Sequence, residues 1–139
     1  MAIVGIGTDI IEINRIANMT ENARERLAKR ILTPEEYYLF SQMDSHNVAS
    51  NNSSVIVSKA VRYLAKRWAG KEAAAKALGT GIADGVSFQH IEIKTLESGQ
   101  PILLFSGRAL TIAQSKKSKH WHISLADEKL YATAFVTLS

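Results

Sequence analysis

The spacing of apolar residues divides this 139-residue chain into helical and extended stretches. Residues 2–7, Ala-Ile-Val-Gly-Ile-Gly, are almost wholly apolar and predict a buried strand. Thr20 stands where it can cap a helix running to about Ile31, with Ala23, Leu27 and Ile31 on one side and the cations on the other. Thr33-Pro34-Glu35-Glu36 has the form of a capping box with proline in the first turn. A second helix therefore starts there, carrying Tyr37, Tyr38, Leu39 and Phe40. Residues 44–58 are rich in Ser, Asn and Val without helical period, and predict an exposed loop. A long helix follows from about Lys59 to Leu78, with Val61, Leu64, Ala65, Trp68 and Ala75 as its buried stripe.

Beyond that helix the period shortens from 3.6 to 2. Phe88 to Thr95 sets Ile91 and Ile93 against His90, Glu92 and Lys94, the mark of a half-buried strand. Residues 96–101 turn, and Ile102 to Phe105 pair back. Ser106 caps a helix through Lys117. Two closing strands, His120 to Ala126 and Leu130 to Leu138, are joined tightly through Asp127, Glu128 and Lys129. The expected fold class is α+β: a single domain over residues 1–139, its antiparallel strands packed against one long central helix.

Composition narrows the class. No run approaches the roughly 18 consecutive apolar residues of a membrane span, and the start lacks the basic and long apolar regions of a signal peptide. There is no cysteine, which removes disulfides, zinc-thiolate sites and thiol catalysis. A cytoplasmic location is expected. The net charge is only +4, but the cations are clustered. Arg15, Arg24, Arg26, Lys29 and Arg30 crowd the first 30 residues, and Arg62, Lys66, Arg67, Lys71 and Lys76 crowd the long helix. Such fields favour an anionic partner: nucleic acid, a phosphorylated small molecule or an acidic protein.

Two carboxylates are candidates for chemistry. Asp9 ends Gly5-Ile6-Gly7-Thr8-Asp9, and Glu72 lies on the long helix one turn before Lys76. If the fold brings them together, they form a hard-cation site, since magnesium takes oxygen ligands, often one or two carboxylates plus substrate phosphates. The plain alternative is that Asp9 opens a turn and Glu72 pairs with Lys76 on the surface. Glu12 is the rival for Asp9. Gly79-Thr80-Gly81 either lets backbone approach a nucleotide or simply caps the helix, and it fails the phosphate-loop spacing. His120 and His122 share one side of a strand, as a metal-ligand pair would, but without cysteine they are weak candidates.

Taken together, the opening GIGTDIIEINRI, the middle LAKRWAGKEAAAKALGTGI, then SFQHIEI, GQP and the closing HISLADEKLYATAFV resemble the holo-acyl-carrier-protein synthase family, the small type of 4′-phosphopantetheinyl transferase. The resemblance covers nearly the whole chain. It implies transfer of the phosphopantetheine arm of coenzyme A to a serine of apo acyl carrier protein, in support of fatty acid biosynthesis. It further implies Mg²⁺ held by Asp9 and Glu72, with Lys76 reaching the same phosphates, and a homotrimer with sites at subunit interfaces. Arg67, Lys71, Lys76, Gly79 and Gly81 become candidates for coenzyme A. Arg15, Arg24 and Lys29 become candidates for docking the acidic carrier.

Either a metal-polarised water or Glu72 is left to take the serine proton. No nucleic-acid partner is expected, because the cations interleave poorly with exposed aromatics, and no membrane partner, because no apolar run is long enough to span one. Other readings are a transferase serving a different carrier, as in polyketide synthesis, a basic nucleic-acid module, and a scaffold without a magnesium requirement. One departure lies in His122-Ile123-Ser124-Leu125-Ala126-Asp127, where many relatives read His-x-Ser-x-Thr-His; the second histidine is read as replaced at Ala126. The 44–58 loop is the other, being longer than the usual connection.

Overall fold

A computed structural model describes residues 2–43, 48–49 and 55–139. Its elements run β1 (Gly5–Glu12), α1 (Ile13–Ala17), α2 (Glu21–Ile31), α3 (Pro34–Ser41), β2 (Val48–Ala49), β3 (Val55–Ile56) and α4 (Lys59–Leu78). A 3-10 turn (Phe88–His90) then leads to β4 (Ile91–Thr95), β5 (Pro101–Phe105), α5 (Gly107–Ser115), β6 (Trp121–Asp127) and β7 (Tyr131–Leu138).

Helix α4 is the centre because its sequence lets neighbours come close. Ser58 Oγ accepts from the amide of Val61, which caps its start, and Gly79 at φ 86° ends it in the left-handed region. Ala69, Ala73, Ala74 and Ala77 are all buried. Against them lies an antiparallel sheet in the order β1-β7-β6. In register, Gly5, Gly7, Asp9 and Ile11 stand opposite Leu138, Val136, Ala134 and Ala132. Those β7 residues are buried on the inner face, while Trp121, Ile123 and Leu125 of β6 pack at its margin.

Glycine sets the separation of β1 from α4. A side-chain carbon built on Gly7 would lie 2.8 Å from the amide nitrogen of Ala77 and closer still to the carbonyl oxygen of Ala73. One on Gly5 would overlap the carbonyl of Ala77. Backbone therefore rests directly on backbone.

The same alternation corrects the expectation of a buried strand over residues 2–7. The strand starts at Gly5 and runs on to Glu12, and its glycines take the inner positions. Its large apolar residues fall on the outer face, where Ile6 is 62% and Ile10 59% exposed.

Other boundaries shift for local reasons. Phe88–His90 curls into a 3-10 turn, with the Ser87 amide donating to His90 Nδ1, so the strand begins only at Ile91. Helix α5 stops at Ser115, two residues early, as the chain turns to positive φ at Lys117. Ser106 stands at its start without a side-chain capping bond. Helix α1 was not anticipated; Ile13 and Ile16 are its buried face. Within the expected 44–58 loop, β2 and β3 pair antiparallel, and Val57 and Ser58 are buried. Residues 44–47 and 50–54 lie outside the described residues.

Candidate active site

The opening motif and the long helix meet at three side chains. Lys76 Nζ donates to Asp9 Oδ1 at 3.0 Å and to the Thr8 carbonyl at 3.0 Å. Glu72, one turn earlier on α4, has its proton affinity raised, first by burial and then by the charge of Asp9. A hydrogen bond from Trp68 and the charges of Lys76 and Arg30 act in the opposite direction. Two carboxylates thus share one small region that neither fully neutralises. Asp9 is inward-facing because it sits in phase with Gly5 and Gly7. Glu12 is out of phase with Asp9 and exposed, which removes it as the rival ligand.

The residues fit a hard divalent cation. Asp9 Oδ2 is buried and has no hydrogen-bond partner among the described residues, an arrangement that costs free energy unless a cation or donor fills it. Glu72 is held near a second negative charge. Among the described residues no three His, Cys, Asp or Glu side chains gather into a metal site. Magnesium needs no such set, as substrate phosphates and waters complete its shell.

Lys71 leaves the coenzyme A candidates. Its side chain is completely buried, with Nζ 2.5 Å from Glu36 Oε1, 2.7 Å from the Ile31 carbonyl and 3.2 Å from the Phe88 carbonyl. All three ammonium protons are used. Glu36 is likewise spent, since the Thr33 amide donates to Oε1 and the Ile93 amide to Oε2. Burial pushes the Lys71 ammonium down from its usual range, and Glu36 opposes that shift. Adjacent residues on a helix point about 100° apart, so the neighbour of a candidate site carboxylate can belong to the core.

Arg67 is one turn from Lys71 on that same inward stripe. It is 5% exposed, donates to Thr95 Oγ1 at 3.0 Å and lies 4.4 Å over the Tyr63 ring. It does not join Asp9, Glu72 and Lys76, and is withdrawn as a coenzyme A residue with Lys71.

Gly79 and Gly81 adopt φ of 86° and 63° and cap α4, their amides donating to the carbonyls of Lys76 and Ala75. Gly81 faces open space. Of the proposed docking cations, Arg15 is exposed over the Trp68 ring and Lys29 is 66% exposed. Arg24 is half-buried and already bonded to the carbonyls of Ile16, Ala17 and Met19, so it ties α2 to the end of α1. Near the C-terminus, the six-residue pattern aligns its second histidine with Asp127 rather than Ala126. Asp127 pairs with Arg62 at 3.1 Å and Lys66 at 3.4 Å.

Two contributors were missed in the sequence. Trp68 and Arg30 both act on Glu72, and both line a cavity of about 60 Å³ beside it, together with Leu27, Ile31 and Phe88. The one-turn spacing of Trp68 and Glu72 was the available signal. Arg30 gave none, as its partner lies on another element.

The chain is similar to proteins of one kind over its full length. It is 51% identical over 138 residues to a holo-[acyl-carrier-protein] synthase of Shewanella baltica (strain OS185), covering 99% of this chain and 98% of that one. The crystal structure of the holo-[acyl-carrier-protein] synthase of Neisseria meningitidis superposes with a TM-score of 0.79 at 38% identity, covering 99% of each chain. That of Bacillus anthracis str. Ames, in complex with CoA (3′,5′-ADP), superposes with a TM-score of 0.73 at 34% identity, covering 98% of this chain and 96% of that one. Residues 5–136 match the family model of the 4′-phosphopantetheinyl transferase superfamily, and the chain belongs to that family.

Proposed function

We propose that this chain transfers the 4′-phosphopantetheine arm of coenzyme A to a serine of apo acyl carrier protein, giving holo carrier protein and adenosine 3′,5′-bisphosphate. The observation that carries the reading is the meeting of Asp9, Glu72 and Lys76, from two motifs far apart in sequence, at one partly open place. Asp9 and Glu72 would hold Mg²⁺, which when bound supplies positive charge to the pyrophosphate oxygens.

The serine oxygen gives its proton to Glu72 or to a water and forms a bond to the β-phosphorus. The bond from that phosphorus to the bridging oxygen breaks, and the electron pair leaves with adenosine 3′,5′-bisphosphate. Such a displacement needs positioning and charge neutralisation more than covalent help from the protein. Lys76, 53% exposed and held by Asp9 and the Thr8 carbonyl, keeps one ammonium proton to donate to the phosphates. The turn at Gly79 and Gly81, open at Gly81 and faced by the Lys116 ammonium at Gly79, is the candidate resting place for the rest of the donor. On the acceptor side, Arg15 and Lys29 present positive charge to an acidic carrier and raise the encounter rate.

The working unit is proposed to be a homotrimer. Ile6 and Ile10 on β1 and Phe135 on β7 lie exposed on the outer sheet face, a contiguous apolar surface of the kind that marks an interface. Among the described residues no helix is long and apolar enough to cross a membrane. The proposed setting is the cytoplasm, where the carrier serves fatty acid synthesis.

The test is mass spectrometry of apo acyl carrier protein incubated with this chain, coenzyme A and Mg²⁺, with and without EDTA. A gain of one phosphopantetheine mass that EDTA abolishes supports the reading. No gain with any of several carriers, including those of polyketide synthesis, overturns it.

A further inference from the structure

The end of α2 is gripped from two directions. Lys71 donates to the carbonyl of Ile31 at 2.7 Å, while Gln89 Nε2 donates to the carbonyls of Leu32 at 2.7 Å and Arg30 at 3.3 Å. Three consecutive carbonyls, of residues 30, 31 and 32, are therefore taken by side chains from α4 and from the 3-10 turn. They are the acceptors that every helix leaves unpaired at its end. Lys71 also binds the carbonyl of Phe88, so one ammonium joins α2, the 3-10 turn and α4.

Residues held by this grip line the cavity beside Glu72. Leu27, Arg30 and Ile31 form its α2 wall, Phe88 a second wall, and Trp68 and Glu72 the floor on α4. The Arg30 guanidinium lies 5.9 Å over the Phe88 ring, bridging the two walls. Asp9, Glu72 and Lys76 are fixed differently, through the backbone contact of β1 on α4 at Gly5 and Gly7. The cavity walls and the carboxylates thus have separate supports, which makes them separable by mutation.

We propose that Lys71 and Gln89 are positioning residues for the transfer: by holding the last carbonyls of α2 they keep the cavity walls, Arg30 included, in register with Glu72 and fix where the acceptor hydroxyl arrives. The inference rests on the reading of Glu72 as part of the reaction centre and of α2 as the carrier face. The assignment to the acceptor follows from α2 itself, which carries exposed cations and borders the cavity on one side only.

The experiment is steady-state kinetics of the intact enzyme with coenzyme A, Mg²⁺ and apo carrier. Gln89→Met removes both donors from an exposed side chain at nearly constant shape. It should lower kcat about tenfold, since small misplacements of a reacting group carry penalties of that order or larger. The KM for coenzyme A and the thermal shift induced by Mg²⁺ should stay within twofold of the starting protein. Gln89→Lys, which restores a donor, should recover most of the loss. Lys71→Met should show the same split, and if it fails to fold, Gln89→Met decides alone. A Gln89→Met enzyme with unchanged kcat and carrier KM overturns the proposal. So does one whose KM for coenzyme A rises in step, because that marks general loosening. Glu72→Ala is assayed in parallel. Full activity there removes the reading of the site itself, whereas an inactive Glu72→Ala beside an unaffected Gln89→Met removes only the positioning role.

Discussion

Replacing Gly7 by alanine tests the backbone contact on which the site is built. The added carbon would lie 2.8 Å from the Ala77 nitrogen, where ordinary contact begins near 3.4 Å, so that atom alone demands a retreat of about 0.6 Å. The carbonyl oxygen of Ala73 is nearer and demands about 1.5 Å. Both obstacles are backbone atoms of a buried helix, so neither can swing aside. A gap of only about 0.5–1 Å already forfeits a quarter to a half of the dispersion energy across the contact, and overpacking of this kind costs about 1–3 kcal/mol or more. With β1 bonded to β7 along its whole length, the strain spreads to the sheet, and the expected loss is about 3 kcal/mol, or about 10 °C in Tm for a chain this long. Asp9 lies two residues along the same face and moves with the strand, so the transfer rate should fall about a hundredfold. Thermal denaturation and the mass-shift assay read the two effects. Gly99→Ala is the control: it meets no atom and bears only the cost of its left-handed backbone, about 1 kcal/mol. A Gly7→Ala protein that melts within 2 °C or so of the parent and turns over normally would refute the reasoning.

Further outcomes follow from the other contacts. The Glu72 carboxyl has a raised proton affinity in the fold, so its contribution to stability is full below its ordinary value of 4.5 and is lost as pH rises through the folded value. Glu72→Gln should therefore melt higher than the parent at pH 7, the difference closing as the pH is lowered. It should be inactive and should lose the thermal shift given by Mg²⁺, which differential scanning fluorimetry measures. Lys71→Met strands the Glu36 charge in the core and should cost about 3–5 kcal/mol in a denaturant titration. Phe135→Glu places a charge on the outer sheet face and should reduce the assembly to monomers in light scattering.

The long helix, the capping box at Thr33 and the closing hairpin were legible because each rests on local rules. Thr33 Oγ1 accepts from the Glu36 amide and Glu36 answers at the Thr33 amide, as the four-residue spacing dictates. What the sequence hid was the second use of the same residue. Glu36 is both a cap and the partner of Lys71, 35 positions away, and no periodicity reports a contact of that range. Asp9 and Glu72 stood out as candidates from the residues around them, but spacing left a surface ion pair with Lys76 equally open, and the family resemblance was what favoured a metal role. Lys71 was misassigned because a lysine beside a candidate site carboxylate reads as part of the site, and only packing shows that it points inward. The run at residues 2–7 misled for a related reason: its apolar residues serve an outward face, and burial belongs to its glycines.

Strand β1 therefore has two sides with different occupations. Its odd positions, Asp9 among them, face inward toward α4, while its even positions present Ile6 and Ile10 to the outside. A single layer of backbone separates them. In the proposed trimer a neighbouring subunit covers the outer side, so a small molecule lodged between Ile6, Ile10 and Phe135 would part the subunits at a point one backbone thickness from Asp9.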